Sequence, residues 1–264
     1  MFTGISFLMV LMITSCSQNW PQFRGPENNM VARAKNLPDT WGPSENIRWS
    51  TPVDGESWTS PVVWGNKVFF TAAIPVKVAP EPERQAPPPP PPSAGAAGNA
   101  GNAGNPSNAQ NPTPPQSRPD PQEDLSYLQT VYRWEVCCLD LETGEVLWRT
   151  IAKEGSPGGN KHRATNYASE TPVTDGQRLY VYFGNNGLYC YDLEGKLLWE
   201  KDLGSYPTLN GWGTGSSPVL YQNRLFVQVD NEENSFLVAL DAETGDELWR
   251  KNREEGTNYS LSLI

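Results

Sequence analysis

A short motif recurs three times along the chain at nearly equal intervals. It reads Ala-Leu-Asp-Ala-Glu-Thr-Gly-Asp-Glu-Leu-Trp at residues 239–249, Cys-Leu-Asp-Leu-Glu-Thr-Gly-Glu-Val-Leu-Trp at 138–148, and is one residue shorter at 190–199. The closing tryptophans, Trp148, Trp199 and Trp249, are 51 and 50 residues apart. Self-similarity at such a period is typical of propellers, solenoids and arrays, so we predict a repeat architecture.

Each copy predicts two strands joined by a tight turn. Apolar residues alternate over 236–240, as in a strand, and the Asp and Gly that follow favour a chain reversal. The tryptophan then opens the second strand, where its large ring is expected to anchor one repeat to the next. Trp49 occupies the same place in an N-terminal stretch. The predicted structural docking residues are Trp49, Trp148, Trp199, Trp249, Asp140, Gly144, Asp192, Gly195, Asp241 and Gly245.

The pattern Ala-x-Asp-x-x-Thr-Gly-x-x-x-Trp resembles the tryptophan-docking motif of pyrroloquinoline quinone (PQQ) type β-propeller repeats. Such repeats occur in quinoprotein alcohol dehydrogenases and in BamB-like outer-membrane assembly lipoproteins. Residues 239–249 match it fully, 138–148 carry Cys for Ala, and 190–199 lack the Thr. The resemblance implies an all-β fold, a partial β-propeller of about three four-stranded antiparallel blades plus the start of a fourth. It says little about activity, since one fold hosts unrelated functions.

Strand and turn signals divide the chain into blades. Residues 17–57 form an N-terminal segment with a predicted ring-closing strand, followed by blade one (58–151), blade two (152–202), blade three (203–252) and the start of blade four (253–264). Blade one contains a Pro/Gly/Asn-rich insert at 75–127, whose composition predicts disorder, as either a tolerated loop expansion or a tether to a partner. Closed propellers of this type have more blades, so we expect an N-terminal piece of a longer protein, with closure by assembly with other chains as the alternative.

The N-terminus resembles a lipoprotein signal peptide. An apolar run over residues 4–15 is too short to cross a bilayer comfortably and ends at Ile-Thr-Ser-Cys, which resembles a lipobox with Cys16 as the lipidated residue. A plain secretory signal is the alternative, because no basic residue precedes the run. We expect an exported protein, lipid-anchored at the periplasmic side of the cell envelope, with Ser17 favouring the outer membrane. No transmembrane helix is expected in the mature chain.

The other cysteines, Cys137, Cys138 and Cys190, have two interpretations. Cys138, Cys190 and Ala239 share one repeat position, which indicates a need for a small apolar side chain there, while Cys137 falls on the opposite face of its strand. This favours structural packing. The resemblance to quinoprotein dehydrogenases leaves a vicinal disulfide between Cys137 and Cys138 as the alternative.

Two long blade-to-blade loops, 153–169 and 204–215, are the predicted interaction sites, since loops on rigid scaffolds commonly carry function. Their candidate residues are His162, Asn166, Tyr167 and Trp212. His162 is the only histidine, which argues against a multi-histidine metal site or a Ser-His-Asp triad. No catalytic, cofactor-binding or metal-binding residue is predicted.

These features favour a non-catalytic protein-interaction scaffold of the bacterial cell envelope over an enzyme. The expected partners are envelope proteins or glycans. A net charge of −10 argues against nucleic acid as a partner. The alternatives are a PQQ-dependent alcohol or sugar dehydrogenase, which would need PQQ and calcium, and a carbohydrate-binding envelope propeller that uses Trp212.

Overall fold

A computed structural model describes residues 19–32, 37–77 and 130–260. Their strands form three four-stranded antiparallel sheets, in each of which the strands lie side by side in chain order. The first sheet contains β1 (Val62–Trp64), β2 (Lys67–Lys77), β3 (Val131–Asp140) and β4 (Val146–Gly155). The second contains β5 (Val173–Thr174), β6 (Arg178–Tyr182), β7 (Leu188–Asp192) and β8 (Leu197–Lys201). The third contains β9 (Val219–Tyr221), β10 (Arg224–Val229), β11 (Phe236–Asp241) and β12 (Glu247–Asn252).

The predicted all-β partial propeller is confirmed, with the three sheets as blades one to three. Short 3₁₀ turns at Gly184–Asn186 and Leu209–Gly211 are the helical elements of the described ranges. Within those ranges, no helix has the length and apolar character needed to cross a membrane. The segment of Cys16, residues 78–127 of the predicted insert, and residues 261–264 lie outside the described residues.

Two apolar layers hold the blades face to face. One packs side chains of blade one, such as Phe69 and Trp134, against blade two residues such as Leu179 and Tyr191. The other packs Tyr180 of blade two against Leu225 and Leu240 of blade three together with their neighbours. Each blade carries apolar side chains on the faces that meet its neighbours, so the stacking of the blades removes these side chains from water.

The strand register explains why each repeat needs a small residue before its aspartate. Cys138 lies directly opposite Trp148 in the β3–β4 pair, and Cys190 lies opposite Trp199 in the β7–β8 pair. Ala239 faces Trp249 in the same way. Directly paired residues share a sheet face, so a small side chain leaves room for the indole. Each pair is followed by a register shift, which is where the strands bend into the turn.

Strand β2 runs further than the sequence predicted. Pro75 pairs with Tyr132 and Lys77 with Val131, so the first three residues of the predicted insert belong to the sheet. The register shifts beside Pro75, and proline is tolerated at such irregularities because it cannot donate to the ladder. The two ends of the insert therefore leave and re-enter blade one side by side.

The N-terminal segment fastens blade one to blade two. Trp20 exchanges two backbone hydrogen bonds with Val63 of β1, at 2.8 and 2.9 Å, and the carbonyl of Pro21 accepts from the N–H of Thr174 in blade two at 2.9 Å. The Trp20 ring covers Gly25, where a Cβ would lie 2.7 Å from the indole. The predicted ring-closing strand around Trp49 pairs with no sheet of the described chain and stays a prediction.

Candidate functional site

The repeat tryptophans lie at the contacts between blades. The Trp148 Nε1–H of blade one donates to the Leu193 carbonyl of blade two at 3.0 Å, and the indole lies over Gly195. In the same way Trp199 donates to the Ala242 carbonyl of blade three at 3.2 Å, and Trp49 to the Leu141 carbonyl at 2.9 Å. Trp249 is 41% exposed and packs on Phe226, and no turn of the described chain covers its ring.

The motif aspartates shape the turns that receive these indoles. The Asp140 carboxylate accepts hydrogen bonds from the backbone N–H groups of Glu142 and Thr143, both at 2.8 Å. The Thr143 N–H is the main cause that lowers the pKa of Asp140. Asp192 and Asp241 cap their turns through the equivalent oxygen. The carboxylates and indoles of the motif are thus engaged in turn capping and blade contacts, rather than facing a ligand.

Both the backbone conformation and the packing of the indole require glycine in each motif turn. Gly144, Gly195 and Gly245 all have a positive φ, of 74, 86 and 76° respectively. A Cβ at Gly195 would lie 2.7 Å from Trp148, and one at Gly245 would lie 2.9 Å from Trp199. A side chain would therefore strain the backbone and push the indole away.

All three described cysteines are free, and Cys137 and Cys138 do not form a vicinal disulfide in the structure. Cys138 lies in the layer between blades one and two, whereas Cys137 lies on the other face of the sheet with Val68 and Phe70. Burial raises the pKa of each of the three thiols to about 12. Such thiols stay protonated at neutral pH, which makes them poor nucleophiles.

The two predicted interaction loops converge on an open cleft. The cleft has a volume of about 430 Å³ and lies at the end of the blades that carries the blade-to-blade loops, here called the loop end. The tight turns of the motif lie at the opposite end. The residues that line the cleft come from the start of β3 and from both loops. They are Thr130, Tyr132, Asn160, Lys161, His162, Arg163, Tyr167, Asn210, Gly211 and Trp212.

His162 and Trp212 join the two loops. Their rings meet edge to face with centroids 5.7 Å apart, and the backbone N–H of His162 donates to the Trp212 backbone carbonyl at 3.2 Å. His162 Nδ1 accepts from the Ala164 N–H at 3.1 Å, which leaves Nε2 to carry the proton of the neutral ring. Trp212 nevertheless stays 39% exposed. The contact holds an exposed indole in a defined place.

The cleft floor is aromatic, with a cation beside it. Tyr132 and Tyr167 meet edge to face at 4.9 Å, and Tyr167 donates its hydroxyl to the Gly159 carbonyl at 3.1 Å. Lys161 Nζ donates to the Thr165 carbonyl at 2.8 Å and lies 5.7 Å from the centre of the Tyr167 ring. Burial, with a smaller effect of Glu56, raises the pKa of Tyr132. The Tyr132 phenol is therefore a neutral packing group, and the Tyr167 hydroxyl serves as a hydrogen-bond donor within its loop.

Three of the four predicted interaction residues line the cleft, and Asn166 does not. Asn166 is 5% exposed; its Oδ1 accepts from the Ala168 N–H, while its Nδ2 has no hydrogen-bond partner among the described residues. It lines a separate small cavity. Sequence reasoning missed Tyr132 and Asn210. The signal for Tyr132 was its position where β3 re-enters the sheet after the insert, next to the loop end.

The described residues do not fit PQQ or its calcium ion. No group of three or more His, Cys, Asp or Glu side chains is placed to hold a metal within the described ranges. Two cavities are lined in part by Thr214, one between blades two and three and one among the loops around blade two, and each has about 10 Å³, room for a water molecule only. The paired cysteines are buried in the sheet, away from both cavities and from the cleft.

Comparison with known proteins identifies the family. A search of curated proteins finds no match. Among solved structures, a europium-containing methanol dehydrogenase is 15% identical with a TM-score of 0.36, and BamB from Moraxella catarrhalis is 15% identical with a TM-score of 0.30. The quinohemoprotein alcohol dehydrogenase of Comamonas testosteroni is 18% identical with a TM-score of 0.36.

Each match covers 46% of this chain, but only 23%, 32% and 19% of the three structures in that order. The chain thus spans less than two thirds of the length of these structures. The family model described as outer membrane protein assembly factor BamB matches residues 128–263, just over half of the chain. The predicted resemblance to PQQ-like repeats is thereby confirmed, and the chain belongs to the family of the outer membrane protein assembly factor BamB.

Proposed function

We propose that this chain is part of a non-catalytic interaction scaffold of the bacterial cell envelope, and that the cleft at the loop end is its contact surface. The observation that carries the proposal is the exposed, pinned Trp212 beside the cations of the 160–163 loop. Tryptophan, tyrosine and arginine are the residues that dominate the free energy of protein–protein binding. Three stacked blades, with a buried apolar layer on each side of blade two, give these loops a rigid base.

The chemistry of the cleft supports binding rather than catalysis. None of its lining residues is an aspartate, glutamate, cysteine or serine, so no carboxylate or thiol faces the open volume. The one histidine uses Nδ1 to accept a backbone N–H. A nucleophile with an adjacent general base, the usual requirement of covalent catalysis, is not among the residues that line the cleft.

The location of the scaffold is part of the same proposal. The lipobox-like residues before Cys16 support an exported chain held at the outer membrane by acyl chains. Metabolic labelling with palmitate tests whether the chain carries this acyl anchor. Label that is lost in Cys16→Ala supports the anchor, and label that persists in the variant contradicts it.

Site-specific photo-crosslinking tests the scaffold. A photoreactive amino acid replaces Arg163 in the cleft, and a second variant carries it at Lys196, an exposed residue of the blade-two turn at the opposite end. We expect a discrete cross-linked envelope protein from position 163 and none from 196. Equal or absent cross-linking at the two positions would contradict the proposal. Oxidation of an alcohol by the full-length protein supplied with PQQ and calcium would contradict it as well.

A further inference from the structure

The charge of the cleft is opposite to that of the chain. The chain has a net charge of −10, yet the 160–163 loop presents Lys161, His162 and Arg163, and no carboxylate lines the cleft. Lys161 is partly neutralised, because its Nζ lies 3.8 Å from Glu56. Arg163 is exposed and forms no hydrogen bond or ion pair within the described chain. Its guanidinium is therefore the free cationic group of the cleft.

The hydrogen-bonding groups of the cleft favour a ligand that accepts hydrogen bonds. Arg163 has five N–H donors and no acceptor, and the Nε2–H of His162 is a further donor. The acceptors of the lining are limited to neutral groups, such as the amide oxygens of Asn160 and Asn210. A sugar hydroxyl both donates and accepts, whereas a carboxylate only accepts, often from both arms of an arginine. A carboxylate therefore matches this cleft better than a neutral sugar.

The aromatic side of the cleft suits a peptide. Trp212 and Tyr132 both line the cleft, and Trp212 is 39% exposed. An exposed tryptophan beside an arginine is the composition of a binding hot spot for protein side chains. Acidic segments are recognised by such arginine-bearing surfaces.

A second cleft at the loop end is acidic and disfavours binding of an acidic segment there. Glu232, Glu233, Glu254 and Glu255 line a cleft of about 470 Å³ on blade three, together with Arg253, whose charge is paired with Asp230 at 2.8 Å. The 204–215 loop lies between the two clefts, since the Leu209 N–H donates to Thr257 Oγ1 at 2.8 Å and that hydroxyl donates to Glu232 at 2.6 Å. Like charges repel, so an acidic segment is directed toward Arg163 and away from blade three.

We propose that the cleft binds an acidic peptide segment of a partner protein. An aspartate or glutamate carboxylate of that segment pairs with the Arg163 guanidinium, and a neighbouring apolar or aromatic side chain packs on Trp212. The inference rests on the proposed scaffold function and adds the chemistry of the partner.

Fluorescence anisotropy on the full chain tests the inference. The probe is a labelled peptide of repeated Glu-Tyr-Gly units, compared with a matched Gln-Tyr-Gly peptide and with oligogalacturonate, an acidic sugar. We expect the Gln peptide to bind at least about tenfold more weakly, and Arg163→Glu to weaken the Glu peptide about tenfold. Trp212→Ala should weaken both peptides. Lys196→Glu, the same charge change at the turn end, should leave all affinities unchanged.

Three results would overturn the inference: equal binding of the two peptides, no effect of Arg163→Glu, or tighter binding of oligogalacturonate than of the Glu peptide. Circular dichroism of each variant shows whether the blades are intact, and Arg163 is exposed enough for the substitution to be tolerated. Cross-links at position 163 without a preference for acidic peptides would leave the scaffold standing and reject the inference. Peptide binding without cross-links in the envelope would reject the scaffold function instead.

Discussion

Replacing Glu170 by glutamine should stabilise the chain above pH 7 and have little effect near pH 4.5. Glu170 precedes β5 and is only 2% exposed, and its Oε1 has no hydrogen-bond partner among the described residues. Burial raises the pKa of this carboxyl from 4.5 to about 7, against a smaller lowering effect of the Thr214 hydroxyl. An ionised carboxylate at this place is therefore costly, whereas the neutral acid is tolerated.

The sign of the effect follows from proton binding. Between pH 4.5 and about 7 the folded chain keeps a proton on Glu170 that the unfolded chain releases. The stabilisation by this group is therefore fully present below about pH 4.5 and is lost as the pH rises through about 7. A difference in pKa between 4.5 and about 7 corresponds to about 3 kcal/mol.

Urea unfolding followed by tryptophan fluorescence at several pH values measures this change. Glu170→Gln is neutral at every pH, so its free energy of unfolding should exceed that of the natural chain by about 3 kcal/mol at pH 8 and by nearly nothing at pH 4.5. Glu200→Gln, on the exposed side of β8, is the matched control and should leave the pH dependence unchanged. Parallel pH profiles for the natural chain and Glu170→Gln would refute the argument that burial keeps this carboxyl neutral.

Two further predictions concern the docking contacts and the thiols. In the same urea assay, Gly195→Ala should lower the free energy of unfolding by about 1–3 kcal/mol more than Gly65→Ala does. The new Cβ at position 195 would lie 2.7 Å from Trp148, whereas nothing lies within 4 Å of a Cβ at position 65. Both glycines have positive φ, so backbone strain is common to the pair, and equal losses would show that the indole contact contributes nothing. Cys138 should resist a thiol reagent in the native chain and react on unfolding, since burial raises the pKa of its thiol to about 12; mapping by mass spectrometry that finds native labelling would contradict this.

The fold could be predicted because its determinants lie close together in the sequence. Alternating apolar residues set the strand, an aspartate caps the turn, and one tryptophan per repeat reaches the next blade. Even the shortened copy is understandable from the structure. Asp192 accepts from the N–H groups of Glu194 and Lys196, so the turn of blade two is capped without a threonine. In blade three the same cap uses the backbone N–H of Thr244, which other residues can also supply.

The cleft could be predicted only in part. The length of the two loops indicated His162 and Trp212, but their mutual contact depends on how the loops on either side of blade two fold over it, which no local pattern records. Asn166 was grouped with them because it is polar and lies in the same loop, yet it turns inward to cap the Ala168 N–H. The contact of the N-terminal segment with blades one and two was not predicted either, since the bonds of Trp20 and Pro21 are made by backbone groups to residues far along the chain.

The bonds that the motif residues make explain why a motif named after a cofactor says so little about function in this chain. Each docking tryptophan that meets a neighbouring turn has its N–H satisfied there, and each motif aspartate is occupied with backbone N–H groups. The single N–H of such an indole and the Oδ1 of each such aspartate are therefore used within the fold rather than on a ligand. Arg163 and Trp212 lie outside the motif, so the repeat places no constraint on their identity, and the blades need neither of them for packing. Selection on such loops can change the partner without changing the blade, which is why the specificity of this propeller should be sought at its loop end.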